Sequence, residues 1–147
     1  YGYNVSNLTG EIKRIMGIDR KHTIIIVGAG NIGHALTNFP GFAETGFEVK
    51  ALFDVNEDLI GTEIKGHPVL DVKDMDEYIR ENQIDIGVIA ARRSAAQEIA
   101  DRMCAAGIRG IWNFVPLDIT TSVPIENVHL SESLSTLSYK IEHGLLD

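Results

Sequence analysis

The residues best suited to chemistry in this sequence are glycines. Gly28-Ala29-Gly30-Asn31-Ile32-Gly33 has the GxGxxG spacing, in which each glycine removes a different obstacle to an anion. The first permits a tight turn, the second lets the backbone approach a pyrophosphate, and the third lets the following helix lie close to the preceding strand. Backbone amides at the start of that helix then face the phosphates, where the helix dipole favours negative charge. Asp54 stands 21 residues beyond Gly33, the offset at which a carboxylate accepts hydrogen bonds from both ribose hydroxyls of an adenine dinucleotide. A 2′-phosphate would meet that negative charge, so the pattern favours NAD over NADP. An ordinary glycine-rich turn and a solvated aspartate at a strand end are the alternatives.

Ligands of open α/β sheets lie beyond the carboxyl ends of the strands, and that rule selects Ala90 to Arg93 and Asn113 to Leu117. Small Ala90 and Ala91 let a dinucleotide lie close, and Arg92 or Arg93 either faces a phosphate or is simply solvated. Phe114 and Pro116 form either an apolar wall for a nicotinamide ring or ordinary packing. The five histidines, at 22, 34, 67, 129 and 143, lack metal-ligand spacing, so no metal is expected. No catalytic residue is assigned, because hydride transfer needs a positioned acid or base and a second region to hold substrate. Cys104, beside Met103 in a helical pattern, is expected to be a buried, inert thiol.

These residues require a strand-turn-helix frame. Thr23-Ile24-Ile25-Ile26-Val27 is β-branched and apolar on both faces, as a strand inside a parallel sheet must be. It leads directly into Gly28, and a helix from Ile32 to Asn38 follows until Pro40 and Gly41 stop it. A second strand, Phe47 to Phe53, ends beside Asp54. The stretch around Gly61, Gly66 and Pro68 reads as turns. Asp74 with Glu77, and Ser94 with Gln97, have capping-box spacing before helices that run to about Asn82 and to Gly107. Further strands are expected over Ile84–Ala90, Ile108–Phe114 and Ile125–Leu130. An amphipathic helix is expected over Asn4–Ile18, with Val5, Leu8, Ile12 and Ile15 on one side. A final helix carries Leu134, Leu137, Ile141 and Leu145 on one face, which either its own domain or a second subunit must cover. Strands alternating with helices at short connections give an α/β, doubly wound, mostly parallel sheet of the Rossmann type. Its expected span is 21–130, flanked by a linker helix at 1–20 and a C-terminal dimerisation helix at 131–147.

Length and composition agree with one such domain: 147 residues, 44% of them apolar. The net charge of −8 repels polyanions, so this chain by itself is a poor nucleic-acid binder. One cysteine cannot form an internal disulfide, and no apolar run is long enough to cross a membrane, which points to the cytoplasm. The first residue is Tyr1, and the chain opens directly on amphipathic residues, so a fragment is expected.

Taken together, the chain resembles the Rex family of bacterial redox-sensing transcriptional repressors over essentially its whole length. The resemblance rests on Gly2-Tyr3-Asn4-Val5, the GAGNIG turn, Asn38-Phe39-Pro40-Gly41-Phe42, Phe53-Asp54-Val55, Ala95-Ala96-Gln97, Asn113-Phe114-Val115-Pro116 and Glu126-Asn127-Val128. It implies a homodimer whose last helix is exchanged between subunits. It also implies NADH bound in preference to NAD⁺, with Phe39 and Val55 added to the cofactor contacts. Operator DNA would be read only by a winged-helix domain that this chain does not contain, and NADH would release it. Two residues depart from the family pattern: Phe39 where tyrosine is frequent, and His129 where aspartate is frequent. A tyrosine-to-aspartate hydrogen bond between those positions cannot form here. The cofactor domain of an NAD-dependent oxidoreductase and a CoA-binding domain are the competing readings.

Overall fold

Ile24, Ile25, Ile26 and Val27 are all buried, because the strand they form is the centre of the sheet and both of its faces are covered. The computed structural model describes residues 21–146; the helix expected over 4–18 lies outside them. Seven strands are present: β1 (His22–Val27), β2 (Phe47–Asp54), β3 (Glu63–Ile64), β4 (His67–Asp71), β5 (Ile86–Ile89), β6 (Gly110–Asn113) and β7 (Ile125–Asn127). Their order is β3-β4-β2-β1-β5-β6-β7. All neighbours pair in parallel except the β3–β4 edge, which is antiparallel. The chain winds outward from β1 through β2 to β4, then returns to the other side of β1 for β5, β6 and β7. The reversal falls between β1 and β5, which is where a doubly wound sheet opens a crevice.

Side-chain alternation divides the core. Ile25 and Val27 join Ala51 and Phe53 under α3 (Met75–Asn82) and α4 (Arg93–Ala106), whose Met75, Ile79, Ile99 and Met103 complete that layer. Ile24 and Ile26 join Val49, Leu52 and Val88 on the opposite face. A register shift between Ile24 and Ile25 skips Lys50 in the pairing, so Val49 and Leu52 share a face while Lys50 stays exposed. Among the described residues the second face is covered only by α1 (Asn31–Thr37) and the single turn α2 (Gly41–Glu44). An apolar trough of about 550 Å³ therefore remains open beside Phe42, Ile86, Trp112 and Ile125.

The stretch read as turns around Gly61, Gly66 and Pro68 contains β3 and β4 instead. Pro68 is tolerated because β4 pairs with β2 only from Val69 onward, so that ladder does not need the N–H that proline lacks. Neither capping box forms. Asp74 and Arg92 are the N-caps of α3 and α4 and make no side-chain cap bond, while Asp71 accepts from the Lys73 amide one turn earlier. Gln97 instead spans to the Thr120 backbone, donating 2.8 Å to its carbonyl and accepting 3.0 Å from its amide. The strands expected over Ile84–Ala90, Ile108–Phe114 and Ile125–Leu130 are each shorter at their ends. The last helix, α5 (Leu130–His143), buries no residue, and Leu134, Leu137 and Ile141 are 69%, 53% and 70% exposed.

Candidate functional site: a cleft over the glycine turn

Gly28 has a φ of +113°, and a Cβ there would lie 2.4 Å from the Ala90 carbonyl oxygen. The turn out of β1 is thus pressed against the end of β5, and only glycine satisfies both conditions. At Gly33 a Cβ would meet the Gly28 carbonyl at 2.0 Å, so the first turn of α1 folds back on the glycine turn itself. Gly30 differs from both: a Cβ there would have nothing within 4 Å. The space above Gly30 is open cleft, bounded by Asp54 and Val55 at the end of β2 and by Ala90 to Arg92 just after β5. That cleft holds about 570 Å³.

Gly30 is the N-cap of α1 and offers no side chain to the amides of the first turn. Asn31 is exposed and Ile32 half-buried there. Because α1 has only seven residues, its macrodipole is small, and attraction for an anion rests on the individual N–H groups.

Asp54 organises the rim. Its Oδ2 accepts from the Ala29 amide at 2.8 Å, and its Oδ1 from the Val55 and Asn56 amides at 2.7 and 2.9 Å. A carboxylate has about four acceptor sites, so three amides leave roughly one, on Oδ2, for a ligand hydroxyl. The expectation that it grips both ribose hydroxyls is narrowed accordingly. Ala29 is buried with its amide committed to Asp54, so it is a strut of the rim.

Sequence reasoning missed the back wall of this cleft, formed by Val72, Ala95, Ile99 and Arg102. Recognising β4 would have exposed Val72, since the strand-end rule then selects the residue after Asp71. Arg102 fastens that wall: its guanidinium donates to Asp76 Oδ1 at 2.9 Å and to the Val72 carbonyl at 2.7 Å. Arg92 borders the cleft and Arg93 points to the next one; neither has an ion pair among the described residues.

Phe114 and Pro116 line a second cleft, of about 540 Å³, beyond the end of β6. Leu117, Val128, His129 and Leu130 complete it, with Arg93 on the near side. His129 Nδ1 lies 3.7 Å from Glu132 Oε2. Asn113, expected as a cofactor contact, is completely buried, and its amide is bonded to the 115–117 turn and to Asn127. Phe39 is not brought to either cleft. It is 54% exposed, packs edge-on against Phe42 at 5.2 Å, and borders the apolar trough.

Cys104 is half-buried, with Sγ 3.1 Å from Thr121 Oγ1. Burial opposes its ionisation, but hydrogen bonds from Thr121 and Ser122 outweigh that and hold the thiol below its ordinary range. Among the described residues no group of histidine, cysteine, aspartate and glutamate has the arrangement of a metal site, and no helix is long and apolar enough to cross a membrane.

A family model described as a CoA binding domain matches residues 19–117, from the approach to β1 through the turn after β6. Among curated proteins, the redox-sensing transcriptional repressor Rex of Clostridioides difficile is 48% identical over 98% of this chain and 70% of its own length. The Rex repressor of Clostridium novyi is 45% identical over 95% and 67%. The chain belongs to the Rex family of redox-sensing transcriptional repressors. Among solved structures, the Rex-family repressor RSP matches at 43% identity with a TM-score of 0.90, covering 98% of this chain and 70% of RSP. RSP in complex with NADH matches at 0.89, and RSP with NAD⁺ and operator DNA at 0.92. These relatives are Rex repressors, which decides for the regulatory reading over that of an oxidoreductase's cofactor half.

Proposed function

We propose that this chain is the NAD(H)-sensing part of a Rex repressor. The observation that carries the reading is the open space over Gly30 beside Asp54, in a chain 43% identical to a repressor solved with NADH. In this reading the pyrophosphate lies over Gly30 and accepts from first-turn amides of α1. One ribose hydroxyl donates to Asp54 Oδ2, and the adenine enters the slot between Val55 and Ala95. The arginine pair sits between the two clefts, and the nicotinamide reaches the second cleft against Phe114 and Pro116. Reduced nicotinamide is neutral and the oxidised ring is a cation, so a ring stacked on the apolar wall of Phe114, Pro116 and Leu117 is favoured in its reduced form. The carboxylates of Asp118 and Glu132 at the rim of that cleft are exposed and screened by water.

The apolar stripe of α5 requires cover, and we assign it to a second copy in a homodimer that exchanges this helix. The open trough beside Trp112 supplies an apolar surface of the kind such a helix needs. Operator DNA falls to a winged-helix segment outside this sequence, consistent with the net charge of −8 here. NADH releases the DNA by favouring the dimer arrangement that does not fit the operator. We assign the protein to the cytoplasm. Titrating the purified chain with NADH, NAD⁺ and CoA tests the reading: NADH binds more tightly than NAD⁺ and is not displaced by CoA. Equal affinities for the two nicotinamides remove the sensor, and tight CoA binding replaces the cofactor.

A further inference from the structure

Asn113 is the one polar residue buried in the core among the described residues. Its position at the end of β6 puts it between two segments that both line the second cleft. One is the turn carrying Phe114, Pro116 and Leu117; the other is the junction between β7 and α5. The Asn113 Oδ1 accepts from the Val115 amide at 2.9 Å. Its Nδ2 donates to the Val115 and Leu117 carbonyls at 3.0 and 3.3 Å, and to Asn127 Oδ1 at 2.9 Å. The amide orientation is set chemically, since a backbone N–H needs the oxygen and two carbonyls need the nitrogen. The Asn113 carbonyl also accepts from the Val128 amide at 2.8 Å, two residues before α5 begins.

Two segments of one cleft are therefore joined through a single desolvated amide, and one of them continues directly into a helix that buries none of its own residues. We infer that the Asn113–Asn127 pair couples occupancy of the second cleft to the placement of α5, with Asn127 as a positioning residue that touches no cofactor. A ring seated against Phe114 and Pro116 sets the 115–117 turn, the turn sets the Asn113 amide, and Asn127 passes that setting to the root of α5. The inference rests on the NADH reading above.

Asn127 is the informative position because it is exposed. Asn127→Ala leaves Asn113 with the Val115 and Leu117 carbonyls for its two hydrogens, so no buried group is orphaned. Asn127→Asp keeps an acceptor oxygen in place and is the conservative rescue. The test is hydrogen exchange of the α5 amides in the 147-residue chain, with and without saturating NADH, alongside an NADH titration. In the unaltered chain NADH slows α5 exchange by about fivefold or more. Asn127→Ala binds NADH within about threefold of the unaltered chain, yet its α5 response falls below about twofold, and Asn127→Asp restores it. A full α5 response in Asn127→Ala overturns the inference. So does an unaltered chain that binds NADH without any α5 response, or an Asn127→Ala chain that loses NADH affinity in step with its melting temperature. Failure of the unaltered chain to bind NADH at all is a different result: it overturns the sensor reading, and the coupling with it.

Discussion

Replacing Gly30 with alanine separates binding from folding more cleanly than any other single change. The residue sits at φ −81° and ψ −151°, extended backbone that alanine adopts, and its Cβ would touch no protein atom within 4 Å. Stability should therefore hold or rise by about 0.4–1 kcal/mol, because the unfolded chain has fewer conformations to lose. The new methyl group projects into the space assigned to the pyrophosphate. A phosphate pushed back by that group loses one or two charge-assisted bonds to backbone amides, or about 2–4 kcal/mol, which is roughly a 30- to 1,000-fold weaker Kd. Gly28→Ala is the paired control. Its positive φ and its 2.4 Å approach to the Ala90 oxygen predict a loss of stability, about 2–6 kcal/mol from strain and overpacking. Urea unfolding and an NADH titration on both variants give the comparison. If Gly30→Ala binds NADH as tightly as the unaltered chain, the phosphate does not lie over this turn.

Asp54→Ala removes three amide acceptors and the free site on Oδ2. Water replaces the bonds to Val55 and Asn56, so unfolding should register mainly the Ala29 amide, about 1–2 kcal/mol, and calorimetry a further loss of about 1–3 kcal/mol in NADH binding. Unchanged NADH affinity would place the ribose elsewhere. Asp85 gives a pH prediction. Burial works against its carboxylate, but the Thr23 amide at 3.0 Å, the Arg109 guanidinium at 3.2 Å and the His22 ring outweigh that and hold its pKa below the ordinary 3.8. A lowered folded-state pKa adds stability above the unfolded value and loses it as pH falls through the folded one. Asp85→Ala should thus cost about 1–3 kcal/mol at pH 7 by urea unfolding, with the gap to the unaltered chain shrinking below pH 3.8; a gap constant with pH would contradict this. Leu134→Glu with Leu137→Glu should abolish the dimer in sedimentation velocity and lower the melting temperature only by the part that dimerisation contributes. A dimer that survives both charges would show that α5 is not at the interface.

Much of this site is legible in sequence because its chemistry is carried by the backbone. A glycine has to stand where φ is +113° and where a helix folds back on a turn, so Gly28 and Gly33 identify themselves by type and spacing. Asp54 is equally legible as a strand-end carboxylate, but not its three amide partners, which depend on how the turn after β1 closes over β2. The back wall escaped because β4 contains Pro68 and follows Gly66, residues that signal turns locally; Pro68 fits because pairing with β2 starts only at Val69. Ser94 and Gln97 have capping-box spacing, yet Gln97 is drawn to Thr120, 23 residues away. Asn113 is the most instructive case. The strand-end rule selects it, but burial turns its amide inward to the 115–117 turn and Asn127, a placement that only the fold reveals.

A crystal structure of this chain grown with NADH tests the central claim most directly. The account predicts diphosphate density within hydrogen-bonding distance of the amides at the start of α1, above Gly30, with a ribose hydroxyl on Asp54 Oδ2. Density for the cofactor anywhere else, or an empty cleft at saturating NADH, would contradict it.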